Sequence, residues 1–306
     1  MFTRDIKFVA AKSVAAICRR TLVVVAALVV PLAVASPALA TEHHPTPPFA
    51  QFADCPLSNA SVTQCILATT TSGEFIVGKK TVPINKTITL QGGTIPNETT
   101  GEVEFVGAEN GETLSKTALY VPGGLFGIKP PGYLNKEQKE KFEEMVNKGL
   151  TGVTETTELA KPASAIKLNT DNLIFEEGVA LQLPVKIKLS NVFLGSSCYL
   201  GSESNPVILN LTTGTTSPPA PNKPIKGNKG ELNIEYEGAL VVLSGGSLVD
   251  NAFAAPEATG CGAPFSGLVD KLVDSVFGVP AAAGKNTAIL TGKLEDAYAP
   301  AVRASE

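Results

Sequence analysis

Val179-Ala180-Leu181-Gln182-Leu183-Pro184-Val185-Lys186-Ile187-Lys188-Leu189 places large apolar side chains at the odd positions and small or polar ones, with Pro184, at the even positions. Successive side chains of a strand point to opposite faces, so this alternation reads as a strand with one buried and one wet face. Pro184 lies mid-run and cannot donate to a ladder, which predicts an edge strand or a bulge. Val207, Leu209 and Leu211 repeat the period, as do Leu232, Ile234 and Tyr236, and Gly238 then predicts a turn into Ala239–Leu243. Thr287–Leu294 reads as a last strand. Upstream, Ser61–Thr70, Glu74–Gly78, Thr81–Ile84, Thr87–Leu90 and Val103–Val106 are short, rich in Val, Ile and Thr, and separated by Gly or Lys-Lys turns.

Many short strands with turn signals between them predict a mainly β, antiparallel sandwich, with a closed β-barrel as the alternative. Two helices interrupt it. One is a highly charged insert at about 135–149, with Asn135 as N-cap, Gln138 completing a capping box and Gly149 ending it. The other is amphipathic. Phe265, Leu268, Val269, Leu272, Val273, Val276 and Phe277 recur at helical spacing, Asp270, Lys271 and Asp274 fall opposite, and Gly278 and Pro280 stop it. Such a stripe predicts a helix packed on the core. Its polar face lacks the Lys and Arg of interfacial helices. Thr212–Gly230 reads as a long exposed loop, and Gly245-Gly246-Ser247-Leu248 as a Gly-rich turn.

Residues 1–40 read as a secretory signal. Arg4, Lys7, Lys12, Arg19 and Arg20 precede the apolar run Thr21–Ala35, and Ala38-Leu39-Ala40 is a small-x-small cleavage site. A run of that length is short for a bilayer-spanning helix. The expected organisation is a signal at 1–40, a disordered tail at 41–53, a single β-rich domain at 54–300 and a C-terminal tail at 301–306. Without the signal, 20 basic and 28 acidic residues remain, a net charge of −8. That balance argues against a nucleic-acid partner, whose phosphates need a basic footprint. Four cysteines remain: Cys55, Cys65, Cys198 and Cys261. An even number in an exported chain predicts two disulfides. Of the three pairings, Cys55–Cys65 with Cys198–Cys261 keeps each pair within one local unit. The spacings match no zinc signature.

The two histidines, His43 and His44, both fall in the expected tail. Ser-His-Asp and Cys-His chemistry needs a rigidly held imidazole beside its nucleophile, which a mobile tail does not supply. No G-x-S-x-G elbow, P-loop or H-E-x-x-H motif occurs. Paired carboxylates are the remaining catalytic option, at Glu102/Glu104 and Glu176/Glu177, but the chain has no Trp and five Tyr to build sugar platforms. Both clusters read as solvated strand ends. Cleavage after Ala40 would expose Thr41-Glu42-His43, whose amine, two amides and imidazole can enclose Cu(II) or Ni(II) in a square plane. That makes Thr41 and His43 the candidate metal ligands. Sequons at Asn59, Asn85, Asn97 and Asn210 fit surface loops and strand starts. No cofactor is expected, and no sorting motif follows Ala301.

The stretches FADCPLSNASVTQCILATTTSGEFIVGKKTVPINKTITLQGG (Phe52–Gly93) and NPVILNLTTGTTSPPAPNKPIKG (Asn205–Gly227) resemble secreted actinobacterial proteins without an assigned function. The resemblance runs through most of the mature chain. It implies export and carries no activity, ligand or catalytic residue. The function expected is a secreted or cell-envelope structural or interaction protein, not an enzyme, whose partner is a protein or envelope component. The alternatives are a carrier of an apolar small molecule between the sheet and the Phe265–Phe277 helix and, more remotely, a carboxylate-only hydrolase.

Overall fold

Alternating patterns on many strands need a second apolar layer to cover them, and in the computed structural model two antiparallel sheets supply it. The structure describes residues 43–97 and 103–306, all within one compact unit. The signal expected at residues 1–40 lies outside them. In chain order the strands are β1 (Gln64–Val77), β2 (Lys80–Pro83), β3 (Ile88–Pro96), β4 (Val103–Gly107), β5 (Ala118–Tyr120), β6 (Thr154–Leu159) and β7 (Lys167–Leu168). They continue with β8 (Leu181–Ser190), β9 (Tyr199–Leu200), β10 (Val207–Leu211), β11 (Glu231–Glu235), β12 (Leu240–Asp250), β13 (Ala258–Thr259) and β14 (Thr287–Tyr298). The helices are α1 (Lys136–Lys148), α2 (Thr170–Phe175), α3 (Ser266–Phe277) and α4 (Ala299–Ala304).

The first sheet runs β11-β12-β14-β1-β3-β4, with β2 also paired to β1; the second runs β13-β9-β8-β6-β5, with β7 and β10 also on β8. The sheets do not close on themselves, so the sandwich expectation holds and the barrel alternative does not. Ile66, Phe75, Leu90 and Phe105 from the first sheet meet Leu181, Leu183, Val185, Ile187 and Leu189 from the second.

The decisive strand lies differently from its expectation. β8 is central, with β10 and β9 on one side and β6 and β7 on the other. Pro184 is tolerated because its carbonyl accepts Ala160 N–H just beyond β6. N–H and C=O of one strand residue face the same side, so the missing donor falls where the chain passes from β6 to β7. Ser61–Thr70 and Glu74–Gly78 are also not two strands. They join in β1 through a bulge between Thr70 and Ser72, matched across β14 by a bulge between Ser244 and Gly246 in β12. Gly292 of β14 faces both, and a Cβ there would meet Thr69 O at 1.8 Å. Gly245-Gly246-Ser247-Leu248 therefore belongs to a bulged strand rather than a turn. The 212–230 segment is partly buried, pinned by bridges Thr212–Val249, Thr215–Lys226 and Asn228–Ser247. β11 buries neither face: Leu232 and Ile234 are exposed on this edge strand.

Both expected tails are packed structure over their described residues. Phe49, Phe52, Cys55 and Leu57 bury against Leu240, Val242, Ala297 and Val302 in a second core on the outer face of the first sheet. Thr46 N–H donates to Ser305 O, and Arg303 donates to the carbonyls of Leu57, Asn59 and Val62. The 43–53 and 301–306 segments thus cover one another. The physical reason is that Phe49, Phe52 and Val302 are too apolar to leave in water, although they carry no periodicity.

The disulfides are Cys55–Cys65, tying this cover to β1, and Cys198–Cys261, tying the loop before β9 to the loop before α3. Such bonds persist where the environment is oxidising rather than in the reducing cytoplasm. α1 carries the expected capping box, with Asn135 and Gln138 bonded reciprocally. Among the described residues no helix is long and apolar enough to cross a membrane.

Candidate functional site

The groups that could do chemistry stand apart. His43 Nδ1 lies 2.5 Å from Glu306 Oε1, and Thr41 falls outside the described residues. The four described cysteines are all bridged, so no thiol nucleophile exists among them. Glu176 is a clamp: one oxygen meets Lys226 Nζ at 2.9 Å and the other accepts Lys229 N–H, and these contacts hold its carboxyl below the usual range. Glu177 is exposed and Glu102 lies outside the described residues. Glu104 lines an open groove of about 600 Å³ with Asp171 and Lys167. Both acids stand in solvent, not in the enclosed setting by which enzymes divide acid from base. No group of three or more His, Cys, Asp or Glu among the described residues could hold a metal.

Three carboxyls are raised, each chiefly by burial. Glu155 is 4% exposed and pushed up to about 8. It stands opposite Leu119 and Leu189, so it points into the main core, and no hydrogen bond or ion pair among the described residues reaches it. Asp296 is raised to about 6. Asp250 is also raised, although it accepts Asn210 and Ala252 N–H. They are not neighbours on a strand pair, and none lines a groove described here.

The space between the sheets, lined by Ile66, Leu90, Phe105, Leu181, Leu248 and Leu294, measures about 60 Å³. Ligand pockets are several times larger. It also lies away from α3, where Val273 and Phe277 fill the contact with the body.

α3 departs most from its expectation. Val273 and Phe277 are buried and Val269 and Val276 partly so, but Phe265 is 72% exposed, Leu268 75% and Leu272 46%. Asp270 accepts Cys261 N–H and Asp274 accepts Ala258 N–H, each at 2.7 Å. At about 100° per residue, the centre of the apolar stripe lies roughly 90° from the direction these two aspartates, Val273 and Phe277 face. The helix is docked on its edge, and half of its stripe is left outside.

That exposed half joins others. Gly262 N–H donates to Leu194 O, which brings the loop bearing exposed Val192 and Phe193 beside the start of α3. Asn191 Nδ2 donates to Leu150 O and Gly152 O, and Leu125 N–H to Thr151 O, adding exposed Leu150 and Phe126. Beside this face an open groove of about 590 Å³ is lined by Lys79, Lys80, Lys129 and Lys139, with Glu143 as its one acid and Ile128 and Val276 on its walls. Lys80 is buried. Its ammonium donates to Gly124 O at 3.2 Å and lies 5.4 Å from the Phe277 ring centre, and burial pushes it below the usual lysine range. These lysines come from three separate segments, so no local pattern in the sequence brings them together.

The chain matches no protein-family profile, and comparison with curated proteins and with solved structures yields no significant match.

Proposed function

We propose that this is an exported, non-enzymatic interaction protein of the cell surface or its surroundings, which works through the apolar face at the α3 end of the sandwich. The observation behind this reading is the rotation of α3. An amphipathic helix free to bury its stripe instead turns Phe265, Leu268 and Leu272 outward and spends two aspartates on backbone amides to hold that pose. Contiguous exposed apolar patches of this kind mark interaction sites. Export is supported by the disulfides, by the signal-like residues 1–40 and by the resemblance to secreted proteins. The carrier reading is weaker, since the interior space is about 60 Å³.

The test is retention of the mature protein on envelope fractions of its own host. Phe265→Ser with Leu268→Ser should cut retention while leaving the thermal melt unchanged. Equal retention of wild type and variant would overturn the reading.

A further inference from the structure

We propose that the α3 end of the sandwich seats on an anionic lipid surface, its apolar side chains entering the acyl boundary and its lysine groove taking the headgroup anion. This rests on the interaction reading and names the partner. Four segments converge here: Phe126 follows β5, Leu150 follows α1, Phe193 follows β8, Phe265 immediately precedes α3 and Leu268 lies within it, all of them exposed. The hydrogen bonds already described, from backbone amides and from the Asn191 side chain, fix these loops to one another, so the face is preformed rather than assembled on contact. Interfacial elements bury such an apolar side shallowly and gain the rest from charge.

The charge is where that mode of binding needs it. Outside residues 1–40 the chain carries a net −8, which opposes anionic membranes. At this end the balance is reversed. The α3 acids Asp270 and Asp274 are turned inward onto backbone N–H groups, leaving exposed Lys271 as the outward charge of that helix. Lys79, Lys80, Lys129 and Lys139 face Glu143 alone in the adjoining groove. Lys80 is the sharpest element. Its ammonium donates to Gly124 O beside the Phe277 ring and lines the groove, where a phosphate or carboxylate oxygen would accept a charge-assisted hydrogen bond from it. The helix alone lacks the basic face of an interfacial helix; the fold supplies it from β2 and from the Pro122–Lys139 segment.

The experiment is co-sedimentation of the secreted mature protein with vesicles of phosphatidylcholine alone, and of phosphatidylcholine with phosphatidylglycerol. Binding is expected to the second only, and to fall with salt. Leu268→Asp and Lys129→Glu, both at exposed positions, should each weaken it by roughly tenfold with unchanged melts. Lys80→Met is a further arm, read only if its melt matches wild type. Equal binding to both vesicle types would overturn the headgroup assignment. No vesicle binding, with envelope retention still sensitive to Phe265→Ser and Leu268→Ser, would overturn the lipid partner in favour of a protein and leave the interaction reading standing. Self-association abolished by Leu268→Asp, without vesicle binding, would identify a second copy instead.

Discussion

Asp270 Oδ1 accepts the backbone N–H of Cys261 at 2.7 Å, so the residue that closes the second disulfide also anchors α3. Together with Asp274 on Ala258 N–H, this bond sets the rotation of the helix. Truncations along α3 should therefore not follow its periodicity. Phe277→Ala, at a buried position, should cost about 3–5 kcal/mol. Leu272→Ala should cost under about 1 kcal/mol, as at an exposed site. Asp274→Ala should cost about 1–3 kcal/mol, because it orphans a backbone donor. Urea midpoints of the three variants check the order; a Leu272→Ala cost equal to that of Phe277→Ala would mean that the stripe faces inward after all.

α3 also shows what the sequence carries and what it does not. Spacing identifies the helix and its stops, because periodicity and the Gly278 cap are local. Its rotation depends on two amides near Cys261 that no helical window contains. The same division recurs elsewhere. The period of Val179–Leu189 predicts the strand, while its central place follows from Pro184 falling at the β6–β7 junction. Thr71-Ser72-Gly73 has turn composition, yet the chain runs straight through it because β14 offers Gly292 opposite the bulge. The lysine groove is the least legible part. Lys79-Lys80 resembles an ordinary turn until the fold brings Lys129 and Lys139 beside it.

Arg303 donates to three carbonyls of the 57–62 segment, Leu57 and Val62 at 3.1 and 3.2 Å and Asn59 at 2.8 Å. Hydrogen bonds from a charged donor contribute more than neutral ones. Arg303→Met should lower stability by about 1.5–3 kcal/mol and speed hydrogen exchange in residues 46–62. A free C-terminal tail would give no change in either measurement.

His43 constrains any copper site at a processed N-terminus. In a chain beginning at Thr41, the imidazole must close the chelate through Nδ1, the atom held by Glu306. Cu(II) has to displace that carboxylate and deprotonate the amine and amides, so affinity should rise with pH. Glu306→Gln should tighten Cu(II) by roughly tenfold, since the displaced bond is charge-assisted. Titration by visible absorbance compares the two proteins; equal affinities would show that the ring is not held in solution, and a start other than Thr41 on N-terminal sequencing removes the site.

Glu155 makes stability depend on pH. Its carboxyl points into the core opposite Leu119 and Leu189, and burial lifts it from 4.5 to about 8. A group whose folded pKa lies above its unfolded value binds more protons when folded, so its contribution is complete below the unfolded value and is lost as pH rises through the folded one. Stability should therefore decline from about pH 4.5 to about pH 8. Asp296, raised to about 6, adds a decline over the lower part of that window. Glu155→Gln keeps the shape and cannot ionise. It should match wild type near pH 4.5, exceed it by roughly 2–4 kcal/mol near pH 8, and flatten the profile between. Urea denaturation across this range measures the difference, and parallel profiles for the two proteins would mean that Glu155 is already ionised in the folded state.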